Sequence, residues 1–340
     1  MSSTDTLIAT RKRLPWFGAL GTLALLLVLG LLALMWWWDY EPDSLDVQRE
    51  ADRRAQSVSQ PVVVGSVTTA TLIASLDTLL GKRGGYLSND LLPPGALMDN
   101  VPNWEFGVLS ASRDLSRFLR SDFSRSQTQS AEDRDLMEAE PLLSSPNDRW
   151  LFPSSESQYR KAAAHLNSYL TRLADADHGD AQFYARADNL VNYLHVVSSR
   201  LGSLSQRLSA SVGQVRLDTD LSGDRNAQQS TPGMGSRLVQ TPWTKIDDVF
   251  YESRGYTWAL LQQLHAMQRD FEPVLRDKNA QVSLQQVVRE LEEAQKGLGS
   301  PVILNGTPFG FFGNHSLVMA NYVSRANAAI IDLISLLERG

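Results

Sequence analysis

The 340-residue chain has no cysteine. That excludes disulfide cross-links, zinc knuckles, iron–sulfur ligation and a thiol nucleophile, and it suits an oxidising compartment. Histidine is scarce too. The five, at 165, 178, 195, 265 and 315, show neither HExxH nor any other close metal-ligand spacing. His195 and His265 lie on the flanks of amphipathic helical patterns. There is no GxSxG elbow, P-loop or GxGxxG fingerprint, so the hydrolase, nucleotide and dinucleotide sites built on them are not written here. Strand signals are nearly missing. PVVVGSV at 61–67 is the only short β-branched run, and it leads straight into a helical pattern from Thr68 to Leu80.

The most informative absence is local. From Leu14 to Trp38, 25 residues pass without a charge, and a helical membrane span needs about 20. Arg11, Lys12 and Arg13 precede the run, and Asp39, Glu41, Asp43 and Asp46 follow it. Trp16 and Trp36 stand at its two ends, separated by roughly the 30 Å thickness of a bilayer core in helical form. Trp16, Trp36, Trp37 and Trp38 therefore read as membrane-interface anchors. A cleaved signal peptide has a shorter apolar region and a small-x-small end, so an uncleaved transmembrane helix is expected over 14–38. The basic flank places residues 1–13 in the cytoplasm and 39–340 outside it. Thirteen residues are too few for a signalling domain, so a sensory role would need a second membrane protein.

Elsewhere the composition is that of a folded protein, with 43% hydrophobic and 21% charged residues. Residues 1–13 take three of the 32 basic and one of the 38 acidic groups, leaving 29 against 37 beyond the span, a net charge of −8. An acidic domain is a poor partner for nucleic acid. Its organisation is helical. Phe183, Ala187, Leu190, Leu194, Val197, Leu201, Leu204 and Leu208 form a heptad seam. Ile246, Phe250, Leu260, Leu264, Met267 and Phe271, with Ser253 and Thr257 as weaker members, form another. These two seams are expected to pair within the chain. Tyr159, Ala163, Leu166, Leu170 and Leu173 mark a shorter helix opened by a Ser155-x-x-Gln158 box, and Ser283-x-x-Gln286 opens one closed by Gly297. Thr241-Pro242 is a further helix start. Residues 316–337 resemble a second span, but Arg325 and Asp332 oppose insertion, so a central buried helix is expected there. The fold expected is mainly α: a single N-terminal transmembrane helix followed by an antiparallel helical-bundle ectodomain. A charged juxtamembrane stalk spans 39–65, a loop spans 126–157, and a flexible linker spans 213–240.

Six blocks occur together: GGYLSND at 84–90, MDNVPNWEFGVL at 98–109, FYARADNL at 183–190, LGSLSQRLSASVGQ at 201–214, TPWTKIDDVFYESRG at 241–255 and NHSLVMANYVSRANAAIIDL at 314–333. Together they resemble a proteobacterial protein family of unknown function with a single N-terminal span. The resemblance covers most of the ectodomain. It implies a Gram-negative inner membrane with 66–340 as a helical periplasmic domain, and it supplies no catalytic residues.

Candidate chemistry is thin. Asp218, Asp220, Ser222, Gly223 and Asn226 match positions 1, 3, 5, 6 and 9 of a calcium loop. Gln229 stands where the bidentate carboxylate belongs and Arg225 where an apolar anchor does, so a solvated linker is the competing reading. Asp175, Asp177, His178 and Asp180 form an acidic knot that reads as a helix–helix turn. Glu105, between Trp104 and Phe106, is a candidate general acid, and with Asp114 it would make a carboxylate pair for hydrolysing a cell-wall glycan. Phe309, Phe311 and Phe312 either pack onto the bundle end or form an exposed patch for a partner or lipid. No cofactor is expected. The leading expectation is a membrane-tethered scaffold or interaction module that contacts lipid through 14–38 and an unknown envelope protein through its ectodomain. A tethered hydrolase is the alternative.

Overall fold

Helix α1, Trp16–Trp38, meets the rest of the chain only at its last turn among the described residues. It is long and apolar enough to cross a membrane, and none of 18–38 is buried against the rest of the chain. The computed structural model describes residues 16–126, 131–175, 179–217, 236–300, 302–308 and 310–339. Ten more helices follow: α2 (Val47–Ser57), α3 (Ser66–Gly81), α4 (Asn100–Phe118), α5 (Arg134–Leu143), α6 (Ser155–Leu173), α7 (Ala187–Ser209), α8 (Ile246–Asp270), α9 (Glu272–Asp277), α10 (Gln281–Ala294) and α11 (His315–Arg339). Strands β1 (Gln214–Leu217) and β2 (Ser236–Val239) pair antiparallel, Gln214 opposite Val239.

Helix α8 is the hub. Its seam residues Ile246, Phe250, Leu260, Leu264 and Met267 are buried, and so are Trp258, Ala259 and Leu261 on other faces. A helix covered on nearly every side belongs in the middle of a bundle. It packs chiefly on α4, then on α3 and α10. Two glycines permit the close crossing with α4. A Cβ on Gly107 would overlap the backbone of Glu252, and one on Gly255 the backbone of Trp104. Polar residues on α8 are satisfied in place. Ser253 and Thr257 donate to Val249 O and Ser253 O, and Gln263 accepts from Tyr193 and donates to Ala111 O.

The α7 seam is internal, but its partner is α11 rather than α8. Met319, Val323, Ala326, Ile330, Leu333 and Leu337 are buried along one stripe of α11 in alternating four- and three-residue steps, a heptad register complementary to α7. The two run antiparallel: Ser198 bonds Asn327 and Ser205 bonds Ala320 O, so seven residues forward on α7 are seven back on α11. Helix α11 is thus amphipathic and peripheral, not central. Val318, Ile331 and Leu336 stay exposed, and Arg325 pairs with Glu290 at 2.6 Å.

Other expectations are corrected. The loop expected over 126–157 contains α5, capped by Asp133, whose side chain accepts from the N–H groups of Asp135 and Leu136. The linker 213–240 begins and ends in paired strands. Ser154, not Ser155, caps α6, and Ser155 instead ties the preceding loop through Arg149 N and Pro146 O. Helix α10 starts at Gln281 without a Ser283 box and ends at Ala294, before Gly297. Pro242 is followed by a short 3-10 turn, Trp243–Lys245, before α8. Residues 39–65 do not stand away from the domain as a stalk. They lie on it, and Val47 and Ala51 of α2 are buried against Val67, Ala70 and Ala266.

Cross-contacts place the ends of the helices. The starts of α4, α6, α8 and α11 and the ends of α3, α5, α7 and α10 gather at the end where α1 leaves. Phe118, Phe123, Phe183, Tyr193 and Phe271 stack in a cluster at the opposite end.

Candidate functional site

A set of polar contacts joins the chain just after α1 to the bundle. Residues 39–45 form an extended strap on α8. Arg254 clasps Glu41 through Nε at 2.9 Å and through Nη2. Trp258 Nε1 donates to Asp43 O at 3.3 Å. Gln262 Oε1 accepts from Ser44 Oγ and Leu45 N, each at 3.1 Å. The register has a geometric cause. Two residues of extended chain advance about 6.6 Å and four residues of helix about 6 Å. Positions 41, 43 and 45 therefore meet 254, 258 and 262 one helical turn at a time.

Arg254 is buried, and its guanidinium also donates to Ala294 O and Lys296 O at the end of α10. One side chain thereby locks strap, hub and α10 together. Below the strap, the Arg83 guanidinium lies 4.3 Å from the Trp37 ring and 4.2 Å from the Tyr40 ring, within cation–π range of both. The Trp38 ring covers Gly84, where φ is +80° and a Cβ would come within 2.7 Å of it. Trp36 and Trp37 are exposed, whereas Trp38 is half-buried at this junction with the domain. Trp16 begins α1. Asp39 bonds Asn100 at the start of α4, and burial followed by Glu41 raises its carboxyl above the ordinary range. Two open clefts flank the strap, about 500 Å³ by His265 and Glu272 and about 490 Å³ by Tyr40 and Lys82.

Glu105 is fully buried and fully engaged. It pairs with Lys82 at 2.6 Å, accepts from the N–H groups of Leu87 and Ser88 at 2.8 Å each, and accepts from the Ser88 hydroxyl. Burial pushes its carboxyl up, while Lys82 and Ser88 pull it back. Its task is to pin the turn after α3 to α4. Asp114, buried on the same helix, accepts a double hydrogen bond from Arg200 at 2.9 and 3.1 Å. Nine residues of helix separate the two carboxylates by roughly 13–14 Å of rise and half a turn. Glycosidase pairs stand about 5–9.5 Å apart. Glu105 and Asp114 therefore do not converge, and Glu105 lines neither cleft.

The calcium-loop residues Asp218, Asp220, Ser222 and Asn226 lie outside the described residues, as do Asp177, His178 and Phe309. Among the described residues no group of three metal-ligating side chains gathers. Asp180 lies 3.4 Å from both Arg134 and Arg172. His165, His195 and His265 each approach one carboxylate, at 3.4, 3.6 and 3.9 Å, and His315 Nδ1 accepts from Leu304 N. Phe311 and Phe312 are exposed, stacked edge-to-face at 5.6 Å on a loop pinned by the Asn305–Asn314 bridge.

Sequence reasoning missed Arg254, Glu41, Lys82 and the glycine pair. Gly107 and Gly255 were visible as lone glycines inside helical patterns, a sign of close backbone approach. Nothing in the local pattern distinguishes Arg254 or Glu41 from solvated charges, because their partners lie 213 residues apart.

The family described as "Uncharacterized protein conserved in bacteria (DUF2333)" has a model that matches residues 10–340, and the chain belongs to it. No curated protein and no solved structure matches the chain.

Proposed function

We propose that this family member is a membrane-tethered helical module of the bacterial envelope, held in the inner membrane by α1 with residues 1–13 in the cytoplasm and 39–340 in the periplasm. Its work there is to bind another envelope component as a scaffold or assembly factor. The observation that carries this reading is the strap. A tethered enzyme that must search for substrate gains from a slack linker. Here the chain beyond α1 is fastened to α8 at three successive turns, and Arg83 is held between Trp37 and Tyr40. Such a joint presents one face of the domain at a set height and angle to the membrane, which is what an assembly platform requires. Glu105 and Asp114 support the hydrolase alternative poorly, since each already holds a buried cation partner or a bidentate arginine.

Two measurements test the reading. Alkaline phosphatase fused after residue 60 acquires activity if the domain is exported; an inactive fusion there with a glowing C-terminal fluorescent protein overturns the orientation. Photocrosslinkers on the ectodomain surface should give one discrete adduct in intact membranes. A flexible Gly/Ser insertion after Asp39 should abolish it. An adduct indifferent to the insertion would refute a role that depends on fixed orientation.

A further inference from the structure

The ectodomain exposes large apolar side chains unevenly. At the end where α1 leaves, Leu92 is 77% exposed, Phe152 97%, Trp243 82% and Phe311 98%, with Leu97 and Trp150 also above half. They lie on four separate loops. Residues 91–98 form a compact turn, Ala96 N bonding Leu92 O and Leu97 N bonding Pro94 O. Leu97 and Met98 border the same small surface recess as Met35 and Trp36 of the last turn of α1. The loop before α6 is tied alongside by Asn89 to Arg149 O and by Tyr86 to Asn147 O. Trp243 precedes α8, and the loop carrying Phe311 is held against the end of α7 by Asn305 to Ser211 O.

Fully exposed aromatic and leucine side chains cost free energy in water, and loops that collect them at one end need a reason. These do not line one groove that a single helix would fill. They surround the exit of a membrane-spanning helix, and Leu97 sits level with Trp36, an interfacial residue by the reading proposed above. A bilayer is the one surface that α1 already guarantees to be there.

We propose that the α1 end of the ectodomain is a lipid-docking surface: the loops carrying Leu92, Leu97, Trp150, Phe152, Trp243 and Phe311 insert into the headgroup region of the leaflet that α1 exits. The surface rests on the anchor reading but not on the scaffold role. Insertion is apolar in origin. Asp39 and Asp247 each lie near Asp99 at the exit and offset Arg83 beside Trp37 and Lys245 beside Trp243, so anionic lipid adds no net attraction and added salt does not release the domain. The inserted side chains reach about 5–10 Å below the surface, as amphipathic interfacial segments do. Strap and loops then act together: α1 gives attachment, and the loops stop the domain from tilting about it.

Because the chain has no cysteine, single labels are clean. Leu92→Cys, Phe311→Cys, Val28→Cys in α1 and Val282→Cys at the start of α10, far from the exit, are each made in the full chain. Each is labelled with an environment-sensitive nitrobenzoxadiazole and reconstituted in phosphatidylcholine vesicles with and without phosphatidylglycerol. Expected are blue-shifted emission at 92, 311 and 28, with 92 and 311 quenched strongly by a nitroxide high on the acyl chain and 28 by one near the chain end, against little of either at 282, in either lipid and in high salt. Quenching at 28 with 92 and 311 open to iodide overturns the docking surface and leaves the anchor standing. Labels at 92 and 311 shielded from both quenchers mean that a second copy or another protein covers them, and this also overturns it. No lipid quenching at 28 removes the anchor itself and the docking surface with it.

Discussion

Replacing Lys82 by Met isolates the Glu105 carboxylate. In the native protein Glu105 has no exposed surface and the Lys82 side chain has 2%, so the pair is shut away from water at 2.6 Å. Methionine matches the length of the lysine stem and removes the charge together with the Nζ hydrogen bond to Gly85 O. Leu87 and Ser88 still donate to the carboxylate, but no cation remains. Breaking a buried pair on one side costs about 3–5 kcal/mol at neutral pH. The pH dependence gives the sharper signature. Burial already raises the folded-state pKa of Glu105 above its ordinary value, and loss of Lys82 raises it further. Below about pH 4.5 both folded and unfolded chains hold the proton, and the charge contributes no penalty. Above that the unfolded chain releases its proton first, so the folded state is penalised by up to about 1.4 kcal/mol per pH unit until Glu105 ionises in place. The difference between wild type and Lys82→Met should therefore be small near pH 5 and reach its full value near pH 8. The assay is urea unfolding of the full chain in detergent micelles, followed by near-ultraviolet dichroism. Other titrations cancel in the difference. The double variant Lys82→Met/Glu105→Gln should recover much of the loss at pH 8, since an amide carbonyl still accepts one of the two N–H groups. A pH-independent penalty under about 1 kcal/mol would show that the pair is hydrated and refute the argument.

Arg254→Met should loosen the strap and α2 behind it, so that trypsin cuts at Arg49, Arg53 or Arg54 at least tenfold faster than in wild type, a conservative expectation for a broken, largely buried pair; unchanged digestion would mean that Trp258, Gln262 and the packing of Val47 and Ala51 hold this segment without Arg254. Gly107→Ala and Gly255→Ala should each lower stability by about 1–3 kcal/mol or more, as overpacking does, read as a lower urea midpoint. Alanine elsewhere on α4, at Ser110, should be nearly neutral by the same measurement. Leu201→Asp places an unpaired charge on the buried α7 seam facing α11, and loss of helicity by far-ultraviolet dichroism is expected. A folded monomeric variant from a dimeric wild type would identify that seam as an interface between copies instead.

Helix identity was legible wherever burial repeats with the helical period, because period and face are local properties of a sequence. The α7 and α8 seams are of this kind, while α1 was legible from the length of its charge-free run. So were Arg325 and Asp332, whose charge argued correctly against a second span. Pairing is not local. The sequence offered α7 the α8 seam, with 316–337 read as a central helix, whereas α8 is taken up by α4 and α7 packs on α11. Gly107 and Gly255 let the α4 and α8 backbones approach where a Cβ on either would overlap the other helix. Burial is not local either. Glu105 reads as an aromatic-flanked acid and Asp39–Asp46 as a solvated acidic stretch. Only the placement of Lys82, Arg254 and Gln262 from distant segments turns the first into a closed structural pair and the second into a strap. The chain by itself determined that it would be helical, acidic and equipped with an apolar N-terminal helix. The tertiary structure alone decided which charges met and which helices touched, because the energy of a charge or an apolar stripe depends on what covers it.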